Sequence, residues 1–236
     1  MPDCLGWVRV NFLVSFHSLI DNMVLSLSAI QQMPRIPRLT LVNAISGFKS
    51  GNLVGTLGDD KVPNVAIFSS AVHIGSDPPL IGIITRPVDG NLKTTRHTYR
   101  NIRSNGYFTL NHVHANMVEA AHQTSASYPD GISEFDAVGL TPAWSENLPA
   151  PYVAESAIRM GLAYVEEHPI RANNTILLIG KVLELIIPDG CIDAEGNLDL
   201  NLAGTVALSG LDTYHRATQI KRLGYARVKR AGDTTQ

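Results

Sequence analysis

The sequence predicts a mainly β protein, built as an antiparallel β-barrel with a few short helices. Short apolar segments rich in Leu, Val, Ile and Thr recur from Leu39 onward, and glycines or prolines separate them. Few segments have the helical period, so the pattern lacks the regular alternation of strand and helix that marks a parallel sheet. No G-x-G-x-x-G or G-x-x-x-x-G-K-[ST] motif occurs in the 236 residues, so Rossmann and P-loop folds have no local support.

The predicted strands follow one another with turn signals between them. "LIGIIT" at 80–85 is a nearly continuous β-branched run, typical of a strand buried on both faces. It follows "DPP" at 77–79, where each proline fixes φ and keeps the preceding residue out of the helical region, so a turn is expected. The other predicted strands are LTLVNAISGF (39–48), GNLVGTLGD (51–59), VPNVAIFSSAVHIG (62–75), YFTLNHV (107–113), IRMGLAYVEEH (158–168) and NTILLIGKVLELIIP (174–188).

Two segments between these strands predict short helices. "RHTYRNIRSNG" at 96–106 has Thr98 as a candidate N-cap, and its Asn105-Gly106 pair is a typical helix stop. "ANMVEAAHQTS" at 115–125 predicts a second helix, and residues 134–138 predict one further helical turn. These helices are too few and too short to cover a parallel sheet, which again favours a barrel.

The chain is predicted to have three parts: an N-terminal extension at 1–33, one domain at 34–230 and a tail at 231–236. The extension is apolar, but polar residues interrupt it before it reaches the roughly 20 residues that a membrane span needs. It begins with "MPDC" rather than a basic segment, so it does not predict a signal peptide. We expect an added helix or a poorly ordered segment, with Met23 and Met33 as alternative start sites.

Charge and cysteine content exclude several function classes. The net charge is −2, so nucleic acid is not expected as a partner. Cys4 and Cys191 lie far apart and match no metal spacing, and a reducing cytoplasm is the simplest compartment. No metal site is predicted, because no two histidines share the H-x-x-x-H spacing of a ligating helix. We also expect no membrane partner.

Residues 49–113 contain an ordered set of motifs: "SGNLVGTLGDDKVPNVAIFSS", "DPPLIGIITRP", "RHTYRNI" and "GYFTLNHV". In this order and spacing they resemble the flavin reductase family, whose fold is the FMN-binding split barrel. The resemblance extends over about residues 38–228. It implies bound FMN, a homodimer with each flavin near the subunit interface, and reduction of flavin by NADH or NADPH. One departure concerns the donor: the "GDH" signature of some short flavin reductases is replaced here by "GLDTYH" at 210–215.

The resemblance also implies which residues bind the cofactor. Hydroxyl and backbone N–H groups would meet the flavin ring edge, and cations at a helix N-terminus would hold its phosphate. Asn101 and Asn111 would contact the phosphate and the ribityl chain. For each of these residues an ordinary structural role is the alternative. The predicted ring contacts are Phe68, Ser69 and Ser70, the phosphate contacts Arg86, Arg96, His97 and Thr98, and the candidates that cover the open flavin face Tyr214 and His215.

The resulting functional prediction is an FMN-binding oxidoreductase that passes hydride from NAD(P)H to flavin. No Ser-His-Asp or Cys-His set stands out, and hydride transfer between two stacked rings needs none. Two alternatives remain open from the sequence. One is an FMN electron carrier of the flavoredoxin type without its own nicotinamide site, and the other is a non-catalytic flavin-binding protein.

Overall fold

The computed structural model describes residues 8–9, 22–86 and 96–227. Its helices are α1 (Leu27–Gln32), α2 (Arg35–Ala44), α3 (His97–Asn105), α4 (Val118–Gln123) and α5 (Glu134–Val138), with a 3-10 turn at Ala115–Met117. Its strands are β1 (Val8–Arg9), β2 (Met23–Val24), β3 (Lys49–Ser50), β4 (Asn52–Leu57), β5 (Pro63–Phe68), β6 (Ala71–Ser76), β7 (Pro79–Thr85), β8 (Tyr107–His112), β9 (Pro142–Ser145), β10 (Leu148–Val153), β11 (Arg159–Ile170), β12 (Thr175–Ile186), β13 (Val206–Ser209) and β14 (Thr213–Arg216).

The chain divides into two compact units. One comprises the residues up to Phe48 together with Ser209–Thr213, and the other comprises Lys49–Leu208 together with the residues from Tyr214 onward. The predicted division at residues 33/34 and 230/231 stays a prediction, and the tail at 231–236 lies outside the described residues. No helix among the described residues combines the length and the apolar character that crossing a bilayer requires.

In the first unit, α2 corrects one sequence-based expectation. A strand was predicted from residue 39 to 48, but the first part of this segment belongs to the helix Arg35–Ala44. Pro34 stands at the N-cap and Pro37 lies in the first turn, where a missing N–H costs no helical hydrogen bond. Thr40 and Val42, the β-branched residues of the predicted strand that fall in this helix, lower its helix propensity only slightly.

The second unit is built on an antiparallel sheet with the strand order β5-β4-β8-β11-β12-β7-β6. The long strands β11 and β12, both predicted from the sequence, pair as its central hairpin, with Ile170 opposite Thr175 at the turn. The two edge strands, β5 and β6, are consecutive along the chain and are joined through Ser69-Ser70. The sheet must therefore curl so that its two edges come close together. Among the described strands, no backbone pairing joins β5 to β6. This arrangement is a split barrel, and it confirms the predicted fold class.

Strand β4 shows how both faces of the sheet are covered. Leu53 and Val54 are consecutive and point to opposite faces, and both are fully buried. Leu53 belongs to an apolar cluster with Phe135 of α5. Val54 belongs to a second cluster with Ile102 of α3. Helices α3 and α5 thus pack on different faces of the sheet, and both reach β5 at its edge.

The helix predicted at 96–106 is confirmed as α3. It ends where the sequence indicated: Gly106 has a left-handed φ of +75°, and its N–H bonds to the carbonyl of Ile102. Its N-cap lies two residues before the expected one, Thr98. Arg96 occupies the N-cap position, so Thr98 lies inside the first turn rather than at the cap.

Candidate functional site

A cleft of about 530 Å³ lies between β5, the start of α3 and the loop that follows α4. This volume is within the range of small-molecule sites, roughly 300–1,000 Å³. Ala66, Ile67, Phe68 and the ring of Tyr99 supply its apolar wall. Polar groups line the rest, namely Asn64, Thr85, Arg96, His97, Thr98, Glu134 and the loop at 124–130. The cleft therefore has an apolar side and a polar end.

The polar end contains the N-terminus of α3. No side chain caps this helix, so the N–H groups of its first turn are directed outward without a capping acceptor among the described residues. The partial positive charge of the helix dipole adds to them, and Arg96 contributes a cation at the same end. Thr98 lies in this turn, 7% exposed, and lines the cleft. Donors in this arrangement attract anions, and phosphate groups in particular.

Two carboxyl groups flank His97 at the same end. The Nε2 atom of His97 lies 2.7 Å from Oδ1 of Asp130, and its Nδ1 atom lies 3.7 Å from Oε1 of Glu134. Arg100 approaches Asp130 as well, at 3.5 Å. Burial raises the pKa of Glu134, although the N–H groups and His97 around it favour the ionised form. The polar end of the cleft thus carries charged groups of both signs rather than basic groups alone.

Asn64 connects this end of the cleft to the sheet. Its amide lies 3.1 Å from Oγ1 of Thr56 and 3.3 Å from Oγ1 of Thr98. The orientation that satisfies every neighbour has its nitrogen donating to Oε2 of Glu134 at 3.1 Å and its oxygen accepting from the two hydroxyls. Asn101 donates to the same Thr56 oxygen at 3.1 Å, and Asn101 is buried beneath the helix.

The loop after α4 contributes hydroxyl groups that the sequence analysis did not assign. Thr124 Oγ1 accepts the N–H of Ile67 at 2.9 Å and donates to the carbonyl of Ala121 at 2.7 Å, so it attaches the loop to β5. Ser125 and Ser127 follow it, and both line the cleft while remaining exposed. The signal in the sequence was the hydroxyl-rich stretch "TSASYP" directly after a helix.

The structure brings four of the predicted cofactor residues together in the cleft: Phe68, Arg96, His97 and Thr98. Arg86 is exposed and is not among the residues that line the cleft, but it directly follows Thr85, which does line it.

The other predicted ring contacts lie at the link between the edge strands. Ser69 and Ser70 join β5 to β6 and do not line the cleft. The hydroxyl of Ser70 donates to the carbonyl of Ile84 at 2.9 Å and lies 3.3 Å from the N–H of the same residue. Ser70 therefore fastens this link to β7.

Asn111 lies away from the cleft, inside the sheet. It is fully buried, and its amide donates to the carbonyl of Leu53 at 2.9 Å and to Oγ1 of Thr109 at 2.8 Å. Its oxygen accepts the N–H of Val153 at 3.0 Å. These contacts attach β8 to β4 and β10, and they use both ends of the amide.

The two candidates for the flavin face lie on β14 and are not among the residues that line the cleft. The hydroxyl of Tyr214 is 3.2 Å from Nδ1 of His122 on α4. The two rings meet edge to face, with centroids 6.0 Å apart and planes at 82°. His215 follows in the same strand and is half-buried.

Comparison with known proteins defines the class to which this fold and cleft belong. Residues 45–200 match the flavin reductase like domain, so the chain belongs to this family. A protein of Deinococcus radiodurans without an assigned function is 28% identical over 204 residues, covering 82% of this chain and 88% of its own length. The Halalkalibacterium halodurans protein BH2278, also without an assigned function, is 35% identical over 144 residues, covering 57% and 68%.

Solved structures agree with this assignment. A split barrel domain protein of Shewanella frigidimarina, provisionally described as a flavin reductase, is 39% identical and superposes with a TM-score of 0.82, covering 87% of this chain and all of that one. The flavoredoxin of Desulfovibrio vulgaris (Miyazaki F) is 23% identical with a TM-score of 0.65, covering 77% and 93%, and it supports the fold alone. The protein is thus a flavin-related oxidoreductase of the split-barrel class.

The residues of the cleft fit a flavin nucleotide. Its apolar wall offers a surface for a flat ring, the serines of the 124–130 loop offer partners for a hydroxylated chain, and the uncapped start of α3 offers donors for a phosphate. These features line one and the same cavity.

Proposed function

We propose that this protein is an NAD(P)H-dependent flavin reductase that binds FMN in the cleft between β5 and α3. The observation that carries the proposal is the uncapped first turn of α3, which borders a cavity with an apolar wall within a flavin reductase like domain. FMN is favoured as the flavin because its single terminal phosphate matches the single anion end of the cleft. When bound, the flavin supplies the ring that accepts hydride from reduced nicotinamide.

The chain's own part in this reaction is binding and positioning. Backbone N–H groups of the first α3 turn and the Arg96 guanidinium hold the phosphate. Ser125 and Ser127 bind the ribityl hydroxyls. Phe68 and its neighbours on β5 exclude water from one side of the ring and orient it. Such fixed orientation of two reactants supplies much of the rate enhancement in a transfer that needs no protein nucleophile.

Anaerobic titration of the purified protein tests this function. The protein is loaded with FMN, freed of excess ligand, and mixed with NADH or NADPH while the yellow flavin absorbance is followed. Prompt bleaching by either nucleotide is the expected result. Retained FMN that neither nucleotide bleaches would contradict the reductase and leave the electron-carrier alternative. Failure to retain or quench any flavin would contradict both.

We also propose that the protein is a homodimer. Strand β6 is an edge of the sheet, yet Val72 and Ile74 on it are 42% and 39% exposed, and Ile84 on β7 is 37% exposed. Val72 lies opposite Gly82, and Ile74 packs over the same glycine, so the three side chains share one face. An exposed apolar edge of this kind favours association. A second copy is the proposed occupant, because the family resemblance implies flavin near a subunit interface, and Thr85, the residue after Ile84, lines the cleft from the other face of the sheet.

Size-exclusion chromatography with light scattering tests the dimer. The wild-type chain should elute with twice its monomer mass, and Ile74→Asp combined with Ile84→Asp should shift it to the monomer. Leu202→Asp is the matched control, because Leu202 is 65% exposed in a loop away from β6 and β7. A monomeric wild type, or a double variant that stays dimeric, would contradict this surface.

A cytoplasmic location completes the proposal. Reduced nicotinamide nucleotides are cytoplasmic hydride donors for a reaction of this kind. Cys191 is a free, buried thiol, as is expected of a protein from a reducing compartment. Fractionation of cells that express a tagged full-length chain would test the location, and recovery outside the cytoplasm would contradict it.

A further inference from the structure

A buried carboxyl group lies at the end of the cleft where the proposed function places a phosphate. Glu134 is 5% exposed, and it lines the cleft together with Thr98 from the first turn of α3. A phosphate monoester carries nearly two negative charges at neutral pH. Two anions in one desolvated site repel strongly, and such pairs resolve the conflict by binding a proton. The cleft therefore contains a feature that a site built only for affinity would omit.

We propose that Glu134 takes up a proton when the cleft binds a phosphate dianion. This inference rests on the proposed function, because it requires the phosphate to lie at the start of α3. The proton comes from solvent and is added to a carboxylate oxygen of Glu134. The carboxyl group thereby becomes neutral, and the bound dianion no longer faces a second anion.

The contacts of Glu134 are suited to both protonation states. When the carboxyl group is ionised, Asn64 donates its amide nitrogen to Oε2 at 3.1 Å. When it is protonated, the turned amide places its oxygen at the same position, where it accepts the new proton. Thr56 and Thr98 tolerate either orientation, because a hydroxyl both donates and accepts. Both ends of the Asn64 amide keep partners in either orientation. The N–H of Val65, which lies 3.2 Å from the amide oxygen in the first orientation, still has Oε2 of Glu134 at 3.4 Å in the second. Burial, which raises the pKa of Glu134 in the free protein, already favours the protonated state.

The surrounding charges leave Glu134 as the group best placed to take up this proton. Asp130 lies 2.7 Å from His97, but its side chain is exposed and stays outside the buried part of the site. Strand β5 carries no titratable side chain on the segment Pro63–Phe68. The other charged or titratable groups on the elements and loops around α5 include Arg96, His97, Tyr99, Arg100 and Arg103 at α3, Tyr128 in the cleft loop, Asp59, Asp60 and Lys61 before β5, Glu119 and His122 on α4, and Asp136 on α5.

Proton uptake gives the affinity a definite pH dependence. If binding consumes one proton, the association constant falls about tenfold for each pH unit above the pKa of Glu134 in the free protein. The phosphate acts in the opposite direction, since its dianion becomes dominant only above about pH 6. A decline in FMN affinity between pH 7 and pH 8.5 therefore originates in the protein, not in the ligand.

Isothermal titration calorimetry tests the inference with the full chain, FMN as the probe and two buffers of different ionisation enthalpy at pH 7.5. The wild type should take up about 0.5–1 proton per FMN. Glu134→Gln should take up less than about 0.2, and its affinity at pH 8.5 should exceed that of the wild type about tenfold. Riboflavin, which lacks the phosphate, should bind without proton uptake. Asp136→Asn, a change of an exposed carboxylate on the same helix, should behave like the wild type.

The outcomes separate this inference from the function on which it rests. FMN binding by the wild type without proton uptake would overturn the inference and leave the proposed function intact. Uptake that persists in Glu134→Gln would also overturn it, because the proton would then belong to the phosphate or to another group. Absence of FMN binding by the wild type would overturn the proposed function. If Glu134→Gln fails to fold, proton uptake by the wild type alone decides between these outcomes.

Discussion

Two buried polar clusters, one inside the sheet and one at its β5 edge, differ in whether they border a cavity. The β8 cluster, Thr109 and Asn111, is closed: Asn111 uses both ends of its amide, and Thr109 donates to the carbonyl of Pro151 at 2.6 Å. The cleft cluster, Asn64, Thr98 and Glu134, opens onto a cavity next to an uncapped helix turn. Polar burial alone therefore does not identify a ligand site. A cavity and donors without a protein acceptor are needed as well.

The largest expected change in stability comes from removing the Asn111 side chain from the β8 cluster. Asn111→Ala leaves the carbonyl of Leu53 and the N–H of Val153 without their side-chain partner in a fully buried place. We expect a loss of about 3–5 kcal/mol in the free energy of unfolding, because each buried group left unpaired costs about 1–3 kcal/mol. Urea unfolding measures it. The exposed change Asn173→Ala should cost far less, and an Asn111→Ala protein of full stability with weakened FMN binding would reverse the comparison.

A second expected effect is a loss of stability at acid pH, caused by His112 on β8, the strand that carries the closed cluster. Burial, with a smaller contribution from His114, lowers the pKa of His112 from its usual value to about 4. The unfolded chain then binds a proton more readily than the folded one, so stability is complete above about pH 6.5 and falls as the pH drops toward 4. The loss should approach about 3 kcal/mol.

Urea unfolding of the wild type and of His112→Asn at pH 7 and pH 4.5 measures this loss. Asparagine keeps a polar atom near Oγ1 of Thr205, 3.1 Å from the histidine Nδ1, but it does not titrate. The difference in the free energy of unfolding between pH 7 and pH 4.5 should be smaller in His112→Asn than in the wild type. It should persist in His168→Asn, because His168 is exposed on β11. An unchanged pH difference in His112→Asn would contradict the assignment.

The smallest free-energy change, and the most specific, concerns the open cluster. Thr98→Ala combined with Arg86→Ala should lower FMN affinity at least about tenfold, which corresponds to about 1.4 kcal/mol. The reason is the loss of a hydroxyl in the first turn of α3 and of a cation at the end of β7. Fluorescence titration measures the affinity, and Arg171→Ala in the exposed β11–β12 turn is the control. Unchanged affinity in the double variant would remove the phosphate assignment.

The sequence predicted the fold well where local signals and tertiary structure agree. The β11–β12 hairpin and the end of α3 at Gly106 both rest on strong local patterns, an apolar run in one case and a left-handed glycine in the other. The segment from residue 39 to 48 failed because Thr40 and Val42 suggested a strand, while the prolines just upstream set a helix start. Both prolines precede residue 39, so they lie outside the segment that carries the strand pattern.

The candidate site was harder to predict, because its groups come from distant parts of the chain. Asn64 meets Thr98 across 34 positions, and Val65 meets Glu134 across 69. Only packing brings them together, so no spacing pattern reveals them. Asn111 was selected because a polar residue at a strand end looks available. The structure shows that β10 and β4 flank the same strand: the N–H of Val153 on β10 takes the amide oxygen, and the carbonyl of Leu53 on β4 takes the amide nitrogen.

The central claim is that the start of α3 holds the phosphate of a flavin, and one comparison of affinities tests it most directly. FMN and riboflavin share the ring and the ribityl chain and differ only in that phosphate. Dissociation constants for both, measured by fluorescence quenching on the wild-type chain at pH 7, should differ at least about tenfold in favour of FMN. Equal affinity for the two ligands would contradict the claim.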